Sequence, residues 1–169
     1  MQKIGLFYAS STGNTERIAK KIKAQFEEQN ITMYNLDNCD THAMKDYDYL
    51  IMGASTWGEG DLQDDWDSYI SNLEAIDFSN KTVALFGLGD QEEYPDNYLD
   101  AMGTIYDKIT ELGATVIGSW PTEGYDFDAS IAVRNDEFVG LALDEDNQSE
   151  LSSERIDTWI GMLRPYLDQ

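Results

Sequence analysis

Apolar positions along this chain fall into two alternating patterns. Short continuous runs occupy residues 4–8, 49–52 and 83–86, with shorter candidates at 31–36, 116–117 and 138–143. Runs of this length without polar alternation predict strands covered on both faces. Between them apolar residues recur at helical 3/4 spacing: Ile18, Ile22 and Phe26; Trp66, Tyr69, Ile70 and Leu73; Met102, Ile105, Ile109 and Leu112; and Ile156, Trp159, Ile160, Leu163 and Leu167. Ser152 or Ser153 is placed to cap the last helix, and Pro165, which has no backbone donor, is expected to end or fray it early. Strand and helix alternating from end to end imply right-handed βαβ units and an open parallel sheet with helices on both faces. In such sheets ligands bind beyond the carboxyl ends of the strands. Residues 120–137 are irregular, polar and aromatic, and they separate two candidate pieces of the last strand. They are expected to form a loop, at about 119–138, inserted within a single domain spanning 1–169, because neither side of it could hold a core alone.

The loops after the predicted strands carry the chemistry. The first is Ser10-Ser11-Thr12-Gly13-Asn14-Thr15, where a strand hands over to a helix. Backbone N–H groups at a helix N-terminus bind anions, and Ser and Thr hydroxyls can rotate to donate further hydrogen bonds. The loop has no lysine and does not match GxxxxGK[ST], so it suits a terminal monophosphate rather than a polyphosphate. The same residue types also suit a turn that does no more than cap the first helix. After the third strand comes Ala54-Ser55-Thr56-Trp57-Gly58-Glu59-Gly60-Asp61, whose Trp57 could stack on a planar ligand or fold back over the sheet edge. After the fourth comes Gly87-Leu88-Gly89-Asp90-Gln91-Glu92-Glu93-Tyr94, followed by Asp96-Asn97-Tyr98. Gly87-x-Gly89 is not a dinucleotide fingerprint: the third glycine would fall at Glu92, and the motif ends a later strand. Tyr94 offers a second aromatic face, or is an ordinary surface tyrosine. A phosphate loop and two aromatic loops at the same end of one sheet together describe a ligand with a phosphate tail and a flat ring.

Composition narrows the partners. The chain has 33 acidic against 11 basic residues and a net charge of −22, which opposes binding to nucleic acid or to an anionic membrane surface and favours a basic protein partner. Cys39 is the only cysteine, so an intrachain disulfide, a CxxC pair and a thiolate metal cluster are excluded. The opening MQKIGLFY lacks the apolar stretch and cleavage site of a secretory signal, and no run approaches membrane-span length; a cytoplasmic protein is expected. His42 and Met44, in a loop after the second strand, are expected at the surface, with no metal site.

Taken in order, SSTGNT, STWGEG, ALFGLGDQEEY, and GYDF followed by FVGLALDEDNQ resemble the flavodoxin family across essentially the whole chain, and the insertion resembles that of its long-chain branch. The resemblance implies a flavodoxin-like doubly wound five-stranded parallel sheet of order 2-1-3-4-5, its last strand interrupted by the long loop. It implies non-covalently bound flavin mononucleotide (FMN), with Ser10, Ser11, Thr12, Gly13, Asn14 and Thr15 on the phosphate, and Trp57 and Tyr94 on opposite faces of the ring. Thr56, Gly58, Glu59, Gly89, Asp90 and Asn97 would line the ribityl chain or the ring edge. It further implies a low-potential one-electron carrier, monomeric, moving mainly between semiquinone and hydroquinone. Its partners would be basic-faced redox proteins such as a ferredoxin/flavodoxin-NADP reductase and low-potential acceptors.

A reduced, anionic ring would meet many carboxylates in segments that follow strand ends, among them Asp61, Asp64, Asp65, Asp67, Asp90, Glu92, Glu93, Asp96, Glu123, Asp126, Asp128, Asp144, Glu145 and Asp146. One carboxylate ~10 Å away raises the energy of such an anion by roughly 0.4 to 1.7 kcal/mol, about 20 to 70 mV. Taken singly, most of these residues are expected to be solvated surface. Two other classes compete. A small FMN-dependent quinone or azo-dye reductase would need a substrate pocket above the ring, where Trp57 and Tyr94 are expected to cover both faces. A signalling receiver domain would need acidic residues where Ser10 and Ser11 stand and an aspartate in place of Gly53-Ala54-Ser55. No paired acid and base, and no activated nucleophile, argues for substrate turnover.

Overall fold

The computed structural model describes residues 2–40 and 42–168, so the outermost positions of the expected 1–169 unit lie outside it. Strand β1 (Ile4–Tyr8) is buried at every position, as a strand covered on both faces must be. It pairs in parallel with β2 (Ile31–Asn35) on one side and β3 (Tyr49–Trp57) on the other. β3 pairs in parallel with β5 (Thr82–Leu88), and also with β4 (Asp61–Leu62), a short antiparallel return. Beyond β5 the last strand comes in two pieces: β6 (Thr115–Ile117) lies along residues 82–84, and β10 (Leu141–Leu143) along 86–88. Counting the parallel strands alone, β2, β1, β3, β5 and the interrupted pair β6 and β10 give the order 2-1-3-4-5 that the resemblance implies.

Helix α1 (Asn14–Lys23) buries Ile18, Ala19 and Ile22 and places Lys20, Lys21 and Lys23 in its last turn, where cations complement the helix dipole. It packs with α4 (Ser152–Leu167), while α3 (Asp100–Glu111) packs with the turn that follows α2 (Asp64–Tyr69). Gly53 matters to the sheet's packing. A β-carbon there would lie 1.9 Å from Phe86 Cζ, so its absence lets the Phe86 ring lie across β3.

Several expectations from sequence are corrected. Phe26 lies beyond the end of α1, though it is buried. The periodicity of Trp66 to Leu73 spans two elements, because the α-helix gives way to a 3₁₀ helix at Ile70. Residues 138–143 are not one strand: β9 (Glu137–Phe138) joins β7 (Trp120–Pro121) and β8 (Val133–Arg134) in a small antiparallel sheet, and only β10 returns to the main one. Part of the insertion is thus ordered sheet. Asn135 and Asp136, at φ 55° and 67°, form the two-residue turn between β8 and β9, a conformation these residue types tolerate.

Ser152 does not cap α4. A 3₁₀ turn over Ser149–Leu151 leads into the helix, and the buried Ser152 hydroxyl donates instead to Glu145. Nor does Pro165 shorten α4, which runs on to Leu167. The last turn is held by the burial of Leu163 and Leu167 and by the Gln2 N–H, which donates to Leu167 O at 3.1 Å. Met44 is buried in the core instead of lying at the surface, while His42 is exposed.

Candidate flavin-type site at the strand ends

The chain leaving β1 turns sharply at Ser10. The Gly13 N–H donates to Ser10 Oγ at 3.0 Å, and Gly13 takes φ 93°, a left-handed conformation open to glycine without strain, before α1 begins. No side chain caps α1, so the first-turn N–H groups keep their donor capacity. Ser11, Thr12, Asn14 and Thr15 line a cleft of about 370 Å³, whereas Ser10 and Gly13 shape the turn beneath it. Gln63 steadies the loop by donating from Nε2 to Ser11 Oγ at 2.9 Å, while its own Oε1 accepts the N–H groups of Asp65 and Trp66 at the start of α2. Arg17, one turn into α1, donates to Asn14 Oδ1 at 2.6 Å and pairs with Glu145 Oε2 at 3.5 Å, and no lysine or arginine is among the cleft's lining residues.

β3 continues past the predicted 49–52 to Trp57 and returns as β4 with Trp57 opposite Asp61. The three-residue tip Gly58-Glu59-Gly60 has φ 51° at Gly58 and 99° at Gly60. Trp57 Nε1 donates to Ser55 Oγ at 2.8 Å, and Thr56 Oγ1 accepts the Ala101 N–H at 3.0 Å, tying the end of β3 to α3. After β5, Asp90 Oδ1 accepts the N–H groups of Glu92 and Glu93, at 3.2 and 2.9 Å, folding a turn that presents Tyr94. Both aromatic residues are accessible, Trp57 at 40 % and Tyr94 at 37 %, and both line the cleft.

Thr56, Gly58, Gly89 and Asp90 line the same cleft. Glu59 and Asn97 do not. Glu59 is exposed at the hairpin tip, and Asn97 is turned onto Asp100, donating to its Oδ2 at 3.1 Å. The lining also includes Ser55, Leu88, Glu145 and Asp146, which sequence reasoning did not assign to a ligand. Their signal was position, since each sits at or just after the end of a parallel strand. Partial burial, then the charges of Asp90, Asp144 and Glu145, push Asp146 above the ordinary carboxylate range. Asp144 differs from the solvated carboxylates expected from sequence, being 0 % exposed. Among the described residues no cluster of His, Cys, Asp and Glu could hold a metal, and no helix is long and apolar enough to cross a membrane.

The donor set fits a phosphorylated flat ligand: N–H and O–H groups at one end and two accessible aromatic faces at the other. A cleft of about 370 Å³ falls in the range of small-molecule sites, roughly 300 to 1,000 Å³. Residues 6–159 match the family model described as Flavodoxin. The chain is 49% identical to the flavodoxin of a Picosynechococcus species, covering 98% of each chain, and 47% identical to flavodoxin 1 of Escherichia coli, covering 96% of this chain and 93% of that one. It also superposes on the crystal structure of Fusobacterium nucleatum flavodoxin bound to flavin mononucleotide, with a TM-score of 0.94 and 31% identity, covering 99% of each chain. With the sheet order, the loop chemistry and these likenesses in agreement over nearly its full length, the chain belongs to the flavodoxin family.

Proposed function

We propose that the cleft holds FMN non-covalently and that the protein, a single functional unit of the long-chain type, is a low-potential one-electron carrier. One observation carries this reading: an anion-binding helix N-terminus and two accessible aromatic side chains meet in a single cleft with no basic side chain in its lining. Ser11, Thr12, Asn14 and Thr15 would donate to the phosphate, with Ser10 and Gly13 fixing the turn. Trp57 and Tyr94 would cover the two ring faces, an arrangement that leaves an edge for electron transfer. Thr56, Gly58, Gly89 and Asp90 would meet the ribityl chain or ring edge, with Glu59 and Asn97 at the rim.

The flavin supplies the redox chemistry when bound; the chain sets its energetics. Asp90, Glu145 and Asp146 in the lining would disfavour added negative charge on a bound flavin, which would lower the potential of the second electron and favour cycling between semiquinone and hydroquinone. Gly58 lines the cleft, and a turn of its peptide would bring its carbonyl to accept a hydrogen from the ring edge. The same acidic rim steers a basic-faced partner such as a ferredoxin/flavodoxin-NADP reductase, raising its association rate more than its affinity.

Comparing FMN with riboflavin tests the assignment of the phosphate loop. Each charge-assisted hydrogen bond is worth about 1.5 to 3 kcal/mol, more than about tenfold in affinity. Fluorescence titration of the apoprotein should therefore show FMN binding at least about 100-fold tighter than riboflavin. Equal affinities would remove the loop from the site, and binding of neither would remove the flavin.

A further inference from the structure

Among the described residues, one carboxylate beside the cleft, that of Asp144, is fully buried. Asp144, immediately after β10, is 0 % exposed and collects donors from two segments. Its Oδ1 accepts the N–H groups of Asp146 and Asn147 at 3.2 and 3.0 Å. Its Oδ2 accepts from the Gln91 N–H at 3.1 Å, Gln91 Nε2 at 2.7 Å and Asn147 Nδ2 at 2.9 Å. Asn147 Nδ2 also donates to Asp90 Oδ1 at 2.8 Å. A single amide therefore joins a buried carboxylate to one in the cleft wall. With the Glu92 and Glu93 N–H groups, it brings three donors onto Asp90 Oδ1, leaving Oδ2 for a ligand. Gln91 carries the order outward, its Oε1 accepting the Asp126 N–H of the insertion at 2.6 Å.

We propose that Asn147, anchored by Asp144, is a positioning residue that fixes the rotamer of Asp90 and so sets how the loop after β5 meets the ligand. The inference rests on the FMN reading for its ligand, but the geometry exists without one. A buried carboxylate holding five donors is a rigid reference point, because turning it would leave buried N–H groups unpaired. Asn147 transmits that rigidity between the loops that leave the paired ends of β5 and β10. An aspartate at 147 would instead set a third carboxylate between the two.

Asn147→Ala removes the bridging amide and keeps the backbone N–H that Asp144 accepts; Asn147→Ser is the milder second variant should the first fail to fold. In the apoprotein, hydrogen exchange of the Glu92 and Glu93 amides should quicken about tenfold, while amides of β1 keep their protection. FMN affinity should fall about five- to tenfold in the wild-type background and by less than about twofold when Asp90 is already alanine, because the effect acts through Asp90. Unchanged exchange at Glu92 and Glu93 in either variant would overturn the proposal, as would an equal loss of affinity in both backgrounds. Failure of the wild-type protein to bind FMN would overturn the flavin reading alone, since the exchange measurement uses no ligand.

Discussion

At residue scale, Gly58 carries the sharpest consequence. Its φ of 51° lies in the left-handed region, and a β-carbon there would meet only Asp61 Oδ2, at 3.5 Å. Asn is among the residues that tolerate this conformation, so Gly58→Asn should fold with little loss. It should nevertheless hinder the peptide from turning its carbonyl toward the ring edge. Losing one hydrogen bond of ~1 kcal/mol corresponds to about fivefold in the equilibrium that forms the half-reduced flavin. The maximum semiquinone fraction in a redox titration should fall accordingly, and an unchanged fraction would exclude the peptide turn. The neighbouring Gly60 is constrained differently, since a β-carbon there would lie 2.9 Å from Asp100 Oδ2. Such details show where sequence reading stops. That Ser11, Thr12, Asn14, Thr15, Trp57 and Tyr94 meet at one cleft was legible because each follows the end of a strand at the same edge of the sheet. Glu145 and Asp146 were only two among many carboxylates after strand ends, the Asn97 bond to Asp100 had no signal in the sequence, and the burial of Asp144 depends on loops that meet only in three dimensions.

At the scale of elements, the insertion is bound to the sheet by a few polar contacts and a cluster of rings. The Tyr125 hydroxyl accepts from Trp120 Nε1 at 2.8 Å and donates to Ala142 O on β10 at 2.5 Å, and Arg155 lies over the Tyr125 ring, 4.2 Å from its centroid. Tyr98, Phe127 and Phe138 complete the cluster. Tyr125→Phe keeps the ring but leaves the Trp120 N–H and the Ala142 carbonyl without that partner. It should reduce unfolding free energy by about 1 to 3 kcal/mol in a denaturant titration. A loss below a few tenths of a kcal/mol would mean that the ring contacts alone hold the insertion. The main strands and four helices were legible from period alone, because apolar runs and 3/4 stripes report local burial. The small sheet was not, since its two-residue strands are too short for a period. Its Asn135-Asp136 turn was visible only as polar residues within a loop. Pro165 misled for the opposite reason: tertiary burial of Leu163 and Leu167 outweighs a local helix-ending preference.

For the whole molecule, a net charge of −22 is compatible with the proposed phosphate role of the first loop because the two would act through different atoms. The loop offers backbone N–H and hydroxyl groups, which can hold a phosphate without carrying net charge, while carboxylates at the cleft and rim contribute the surrounding field. On the proposed reading, that division would oppose the second, charge-adding reduction more than a first one that takes up a proton, which is the central claim of the proposal. The lysines of α1, in its last turn, stand at the opposite end of that helix from the anion loop and do little to relieve the field. Stepwise anaerobic reduction of the FMN-loaded protein, followed by its visible spectrum, tests the claim most directly. The account predicts accumulation of a blue neutral semiquinone before full reduction, with the second potential well below the first. Direct bleaching to the hydroquinone without that intermediate would contradict it and point to a two-electron reductase.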